Sequence, residues 1–248
     1  AGRCLFVLAE KYGAIMLNSI ILVSRLIRYN LKVIFAGRFL WFLLAALTFY
    51  LFFMVVSVFD NIDINISHLY DLTFFPGILL IFYPTVFGIQ RDDDARMLEI
   101  LFGIPNYRYK VWLVRILLIF VQVYLLLILF AAVGSYLLYP INPLQLATQL
   151  IFPVCFLGSL AFLVSTRVKN GNATAVIMVL LGIAITIFSE TFERTFWDIF
   201  LNPFDMPRGF GELAWQQIVW KNRVFLSIST IVFILSALLN LQKRERYI

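Results

Sequence analysis

FLWFLLAALTFYLFFMVVSVF, Phe39 to Phe59, contains no charged side chain and no proline. A helix needs about 20 mostly apolar residues to cross roughly 30 Å of hydrocarbon, and this run supplies that length without a break. Five more runs of the same kind follow: Leu72 to Ile89, Leu113 to Leu138, Leu146 to Ser165, Ala173 to Phe188 and Val224 to Leu241. Each is bounded by charged or turn-forming residues, as the cost of a charge at mid-bilayer requires. The fifth is short enough to extend a few residues either way. Pro76, Pro84 and Pro153 fall inside spans, where neighbouring helices can satisfy the backbone groups that proline frees, so kinks are expected there.

The composition agrees. Of 248 residues, 62% are hydrophobic and 17% aromatic, only 14% are charged, and the mean hydropathy is +0.92. An ordinary soluble domain is about 45–50% apolar and about 25% charged, and a soluble globule of this length has no way to hide the difference. The excess must face lipid. The formal charge of +6 and pI of about 9.4 do not indicate nucleic acid, because the basic residues sit at the ends of apolar runs rather than in a stripe with exposed aromatics. Cys4 and Cys155 lie in unrelated contexts and support neither a disulfide framework nor a metal cluster.

Orientation follows from where Lys and Arg fall. Of the 20 basic residues, all but Arg194, Arg208, Lys221 and Arg223 lie in the N-terminal segment, the second and fourth loops and the tail, or, for Arg115, just inside the third span. The first loop on the other side, Asp60 to Asp71, has none. An even number of spans with both termini cytoplasmic satisfies this pattern. Before the first span, Ile15 to Lys32 is apolar but carries Arg25, Arg28 and Lys32 on one helical face beside Ile21, Leu22, Leu26 and Ile27, as a helix lying along the cytoplasmic interface should. The competing reading is a seventh span, which would move the N-terminus to the other side. The last external loop, Ser189 to Arg223, is crowded with aromatics broken by Pro203, Pro207, Gly209 and Gly211. Short helices that dip into the outer leaflet and return explain this; an external cap packed on the bundle is the alternative.

The expected fold is therefore an all-α integral membrane protein with six transmembrane helices, an N-terminal interfacial helix and a re-entrant external segment before the last span. Residues 1–248 form a single transmembrane domain: 1–38 cytoplasmic and interfacial, 39–188 spans one to five, 189–223 the external segment, 224–248 the last span and tail.

Most catalytic signatures are absent. GxxxxGK[ST], HExxH and GxSxG do not occur, so the chain has no P-loop of its own, no zincin site and no nucleophile elbow. His68, the only histidine, is placed in the external loop and reads as solvated rather than as a ligand. All 14 Asp and Glu residues are assigned to loops or termini, which counts against proton-coupled transport. Asn65-Ile-Ser67 and Asn172-Ala-Thr174 fit the glycosylation sequon, a pattern that also arises by chance.

The informative segment is the second cytoplasmic loop, Arg91 to Lys110, RDDDARMLEILFGIPNYRYK. Its acidic start suits a helix N-terminus, where Asp caps free N–H groups and meets the positive dipole end. Met97, Leu98, Leu101 and Phe102 follow at helical spacing, and Gly103 and Pro105 stop the helix. A short amphipathic helix at the cytoplasmic face is expected, although a plain connecting turn fits as well.

This run resembles the cytoplasmic loop of ABC-2 type transporter permeases, acidic-x-x-x-G-T-[LI]-E-x-L-L-x-x-P between the second and third spans. Leu98, Glu99, Leu101 and Pro105 match it, Ile100 and Phe102 keep its apolar character, and Asp92 or Asp94 stands for the leading acid. Arg96 and Met97 replace the Gly-Thr pair. The order of elements along nearly the whole chain is also similar. The resemblance implies a non-enzymatic permease subunit of an exporter in a cell membrane, most simply a bacterial inner membrane. Two such subunits, identical or similar, would pair with two ATP-binding cassette subunits, so ATP and Mg would bind on the partner, with no cofactor in this chain. Asp92, Asp94, Glu99, Leu101, Phe102, Gly103 and Pro105 would couple to the ATPase. Arg25, Arg28 and Lys32 would hold the interfacial helix against lipid phosphates and the ATPase. Nucleic acid is not an expected partner. The cargo would be amphipathic, lipid-linked or glycan-like; Phe49, Tyr50, Phe52, Phe53, Tyr124, Phe130 and Tyr136 could line its path, but aromatics in spans are more often lipid-facing or packing groups. An ATP-independent secondary transporter or channel is the alternative class.

Overall fold

The computed structural model describes residues 39–59, 64–90, 108–168, 170–192 and 195–241. The candidate interfacial segment 15–32, with Arg25, Arg28 and Lys32, lies outside them. Among the described residues there are helices and turns but no strands. Six helices are long and apolar enough to cross a membrane: α1 Phe39–Phe59, α2 Ile66–Val86, α3 Val114–Leu137, α4 Pro143–Val168, α5 Gly171–Phe192 and α6 Glu212–Asn240. A π-helical turn, Arg108–Leu113, leads into α3. This architecture fits a multi-pass membrane protein.

Asparagines start three of the helices. The Asn65 side chain accepts from the His68 amide at 2.8 Å and caps α2. Asn142 accepts from the Leu144 amide at 3.0 Å with Pro143 in the first helical position, where a missing N–H costs nothing. Asn170 accepts from the amides of Asn172 and Ala173 at 2.9 and 3.2 Å and opens α5. The helices run through Pro76 and Pro153. In α2 the helical pattern is interrupted at Phe87, three residues after Pro84.

α4 is the central helix. Of its apolar stretch 61% is buried in the bundle, against 22% for α1 and 17% for α5. It packs against α2, α3, α5 and α6, while α1 leans on α2. The α2/α4 crossing is close because each helix offers a glycine. A Cβ on Gly77 would lie 3.2 Å from Val154 Cγ2, and one on Gly158 would meet Ile81, with Cγ1 at 2.7 Å. Small residues let helix backbones approach, which is what drives packing where lipid removes the hydrophobic incentive. α1 joins α3 through Tyr50, whose ring stacks on Phe130 at 5.1 Å and whose hydroxyl donates to Phe130 O at 2.8 Å.

Two helices begin upstream of the apolar runs that announce them. α2 begins at Ile66 rather than Leu72, so His68 and Asp71 belong to a helix and not to a loop. Asp71 thus stands within the helix that crosses, near its end, so the assignment of every carboxylate to loops or termini does not hold. α6 begins at Glu212, so residues 212–223 of the expected external segment continue directly into the last span. The physical reason is a buried stripe at helical spacing, Trp215, Asn222, Arg223, Leu226, Thr230 and Ile234, which runs through the polar stretch and holds it helical. Between α5 and α6, residues 195–211 form successive turns.

Candidate functional site

The ATPase-coupling candidates Asp92, Asp94, Glu99, Leu101, Phe102, Gly103 and Pro105 lie outside the described residues. The described chain fixes where their loop starts and ends: after Gln90, the end of the second candidate span, and before Arg108, the start of the π turn. This end of the bundle is tied together. Gln90 Oε1 accepts from the Gly171 amide at 2.6 Å, and Ser165 donates to Val86 O at 3.0 Å. A Cβ at 171 would lie 2.5 Å from both Gln90 Oε1 and Phe87 Cδ1, so any larger residue there would have to displace both side chains. Trp112 is buried against Phe162, with the Arg115 guanidinium 5.5 Å from its ring centre. The loop therefore rises from an end in which α2, α4 and α5 are joined by side-chain and backbone hydrogen bonds.

The opposite end carries the densest polar cluster among the described residues. Arg223 is 7% exposed. Its Nε donates to Gln149 Oε1 at 3.0 Å and Nη1 to Asn222 Oδ1 at 2.9 Å, while Nη2 reaches Tyr70 Oη and Leu201 O, each at 3.4 Å. All four acceptors are neutral. Asn222 donates to Phe196 O and Asp198 O at 3.0 and 2.7 Å. Asn202 Nδ2 faces Ser67 O, Ser67 Oγ and Asp71 Oδ1 at 3.1, 3.0 and 2.9 Å. Trp215 Nε1 donates to Pro203 O at 3.0 Å. These bonds pin the 195–211 turns onto α2 and α6, so their buried backbone carbonyls are satisfied as interior groups must be. Asn202 and Asp198 also close tight turns, accepting from the Phe204 and Phe200 amides, the local bond that makes Asn and Asp turn residues.

Two clefts flank this cluster. One, of about 650 Å³, lies between α4 and α6 and includes Gln149, Phe152, Trp215, Trp220, Arg223 and Ile228 in its lining. The other, of about 760 Å³, lies between α2, α4 and α5 and is mostly apolar, with Asp71, Thr85 and Thr186 as its polar members. Both are within the size range of small-molecule pockets, about 300–1,000 Å³. The span-one and span-three aromatics, read mainly as packing or lipid-facing groups, line neither cleft. Tyr50 and Phe130 are buried and stacked on each other, Phe49 packs on Phe53 and Phe75, Phe52 and Tyr136 point outward, and Tyr124 bonds Thr148 at 3.0 Å. Phe74, Phe75, Phe152, Phe200, Phe204 and the α6 tryptophans line the clefts instead.

His68 is half-buried and its Nε2 is 2.8 Å from Ser57 Oγ, which replaces the solvated reading. Ser57 Oγ also lies 2.8 Å from Phe53 O, so its hydroxyl is shared between the backbone and the imidazole. The pair joins α1 to α2. Asn65 and Asn170 serve as helix caps, and Thr174 of the second sequon is fully buried. Among the described residues no group of three or more His, Cys, Asp or Glu is placed to hold a metal.

Arg223 was read from the sequence only as a loop cation. The signal that could have found it is the spacing Trp215, Asn222, Leu226, Thr230, which continues the helical period of the last span upstream through Arg223's turn. Comparison with protein-family models, curated proteins and solved structures gave no match for this chain.

Proposed function

We propose that this chain is the membrane-spanning subunit of an ATP-driven exporter of the ABC-2 type, moving an amphipathic, lipid-linked or glycan-like cargo. The observation that carries the reading is the segment RDDDARMLEILFGIP between the second and third of six apolar helices. The span before it ends at Gln90, where α2 is bonded to α4 and α5, so force applied through this loop would reach three spans at once. Asp92, Asp94, Glu99, Leu101, Phe102, Gly103 and Pro105 form the contact with a separate ATP-binding cassette subunit, which holds ATP and Mg. Glu99 makes a charge-assisted bond to that partner or caps the helix. A second permease subunit completes the translocator, and the weakly buried α1 and α5 offer it, or lipid, an apolar face. Both termini are cytoplasmic, residues 15–32 lie along the interface with Arg25, Arg28 and Lys32 toward lipid phosphates, and the 195–211 turns sit at outer headgroup level before the last span. The subunit itself performs no covalent chemistry.

The test is co-purification with a separately expressed ATP-binding cassette subunit from the same cells. Glu99→Lys with Leu101→Asp is expected to abolish capture of the ATPase while membrane insertion is unchanged. Undiminished capture would remove the coupling assignment.

A further inference from the structure

We propose that the cleft between α4 and α6 binds an anionic phospholipid of the surrounding bilayer, its phosphate at Arg223 and an acyl chain along α6. Three independent observations converge on this site.

The first is charge. Arg223 is 7% exposed, and its partners are two amide oxygens, a phenol, a backbone carbonyl and the face of the Phe152 ring, 5.8 Å away. A guanidinium has five N–H donors, and the two Nη2 contacts are long at 3.4 Å. Burying a cation costs several kcal/mol unless a counter-charge meets it. Asp71 Oδ1 accepts from Asn202 and Asp198 Oδ1 from the Phe200 amide, so the nearest acids help to balance the cation through space without bonding it. Among the described residues no carboxylate is hydrogen-bonded to Arg223. A phosphate is the ligand whose geometry a guanidinium fork matches.

The second is depth. Val224 to Leu241, immediately beyond Arg223, contains no charged residue and spans about 27 Å at 1.5 Å per residue, close to the roughly 30 Å of a hydrocarbon core. Arg223 therefore stands at the level of lipid phosphates. Trp197 and Trp220, 50% and 68% exposed, mark the same level, where tryptophan gathers at the membrane interface.

The third is access. The cleft of about 650 Å³ has Arg223, Gln149 and Phe152 in its wall, and Ile228 and Ile231, each 57% exposed, line it further along α6. A polar head site with an apolar groove leading from it toward mid-membrane is the shape of a lipid. The groove is flanked by outward-facing apolar residues, so a lipid enters laterally. This site does not depend on the exporter reading.

The test uses the full chain in detergent, with native mass spectrometry during titration by phosphatidylglycerol or phosphatidylcholine of identical acyl chains. Preference for phosphatidylglycerol of at least tenfold is expected. Arg223→Gln should bring the ratio to near one and Arg223→Lys should keep most of it. Should Arg223→Gln fail to fold, Ile228→Trp decides, because it fills the groove from an exposed wall position and leaves the cation in place: binding of phosphatidylglycerol should fall about tenfold. Equal binding of the two lipids by the unaltered chain would overturn the proposal, as would a preference that persists in both Arg223→Gln and Ile228→Trp. Glycerol phosphate displacing phosphatidylglycerol at equal concentration would show a free-anion site, and would overturn the lipid assignment.

Discussion

Replacing Gly134 with alanine puts a methyl group where two neighbouring helices already reach α3. The new Cβ would meet Tyr50 Oη of α1 and lie 2.5 Å from Leu69 Cδ1 of α2. Tyr50 and Leu69 are both fully buried, and Tyr50 is held by its stacking on Phe130 and its 2.8 Å bond to Phe130 O. Displacing the hydroxyl leaves a buried donor unsatisfied, at about 1–3 kcal/mol. Crowding Leu69 adds about 1–3 kcal/mol. The better helix propensity of alanine returns about 1 kcal/mol. The net is a destabilisation of about 3 kcal/mol. The assay is unfolding in mixed micelles followed by tryptophan fluorescence, with Gly182→Ala as the control, since nothing lies within 4 Å of a Cβ there. In a Tyr50→Phe background Gly134→Ala should cost about 2 kcal/mol less, the coupling expected of groups in contact. If Gly134→Ala matches Gly182→Ala, or if the two changes are additive, the packing argument is refuted.

Gln122 is buried in α3, and neither its amide nitrogen nor its amide oxygen has a partner among the described residues. Gln122→Met keeps the volume and removes two unmet groups, so the monomer's midpoint should rise by the equivalent of about 1–3 kcal/mol; a fall would show that the amide is satisfied in the working protein. Asn202→Asp turns a donor that faces Ser67 O and Asp71 Oδ1 into a third acceptor beside a like charge. Limited proteolysis between Thr195 and Gly211 should accelerate about tenfold or more, and an unchanged rate would show that these bonds do not hold the turns.

The spans were legible because a long uncharged run has few alternatives to lipid. Their ends were less so. ISHLYD ahead of Leu72 and ELAWQQIVWKNR ahead of Val224 mix polar groups into helical segments, and a hydropathy reading stops at the first charge. The structure shows those polar groups turned inward onto the 195–211 turns, through Tyr70, Asn222 and Arg223, a tertiary arrangement that local pattern does not encode. The span aromatics followed the general preference for packing: composition names Tyr50 and Phe130 only as large aromatics, and the structure shows that they stack on each other. For the proposed coupling loop the case is different: the motif residues Leu98, Glu99, Leu101 and Pro105 are in the sequence, and the described helices fix only where the loop begins and ends.

The most direct test of the exporter account is a photo-crosslink from that loop in living cells. Benzoyl-phenylalanine is placed at Phe102, with Tyr136, 89% exposed near the far end of α3, as the control position. A light-dependent adduct between position 102 and a P-loop ATPase, identified by mass spectrometry and missing from position 136, is the predicted result. No ATPase adduct at 102, or equal adducts from both positions, would contradict it.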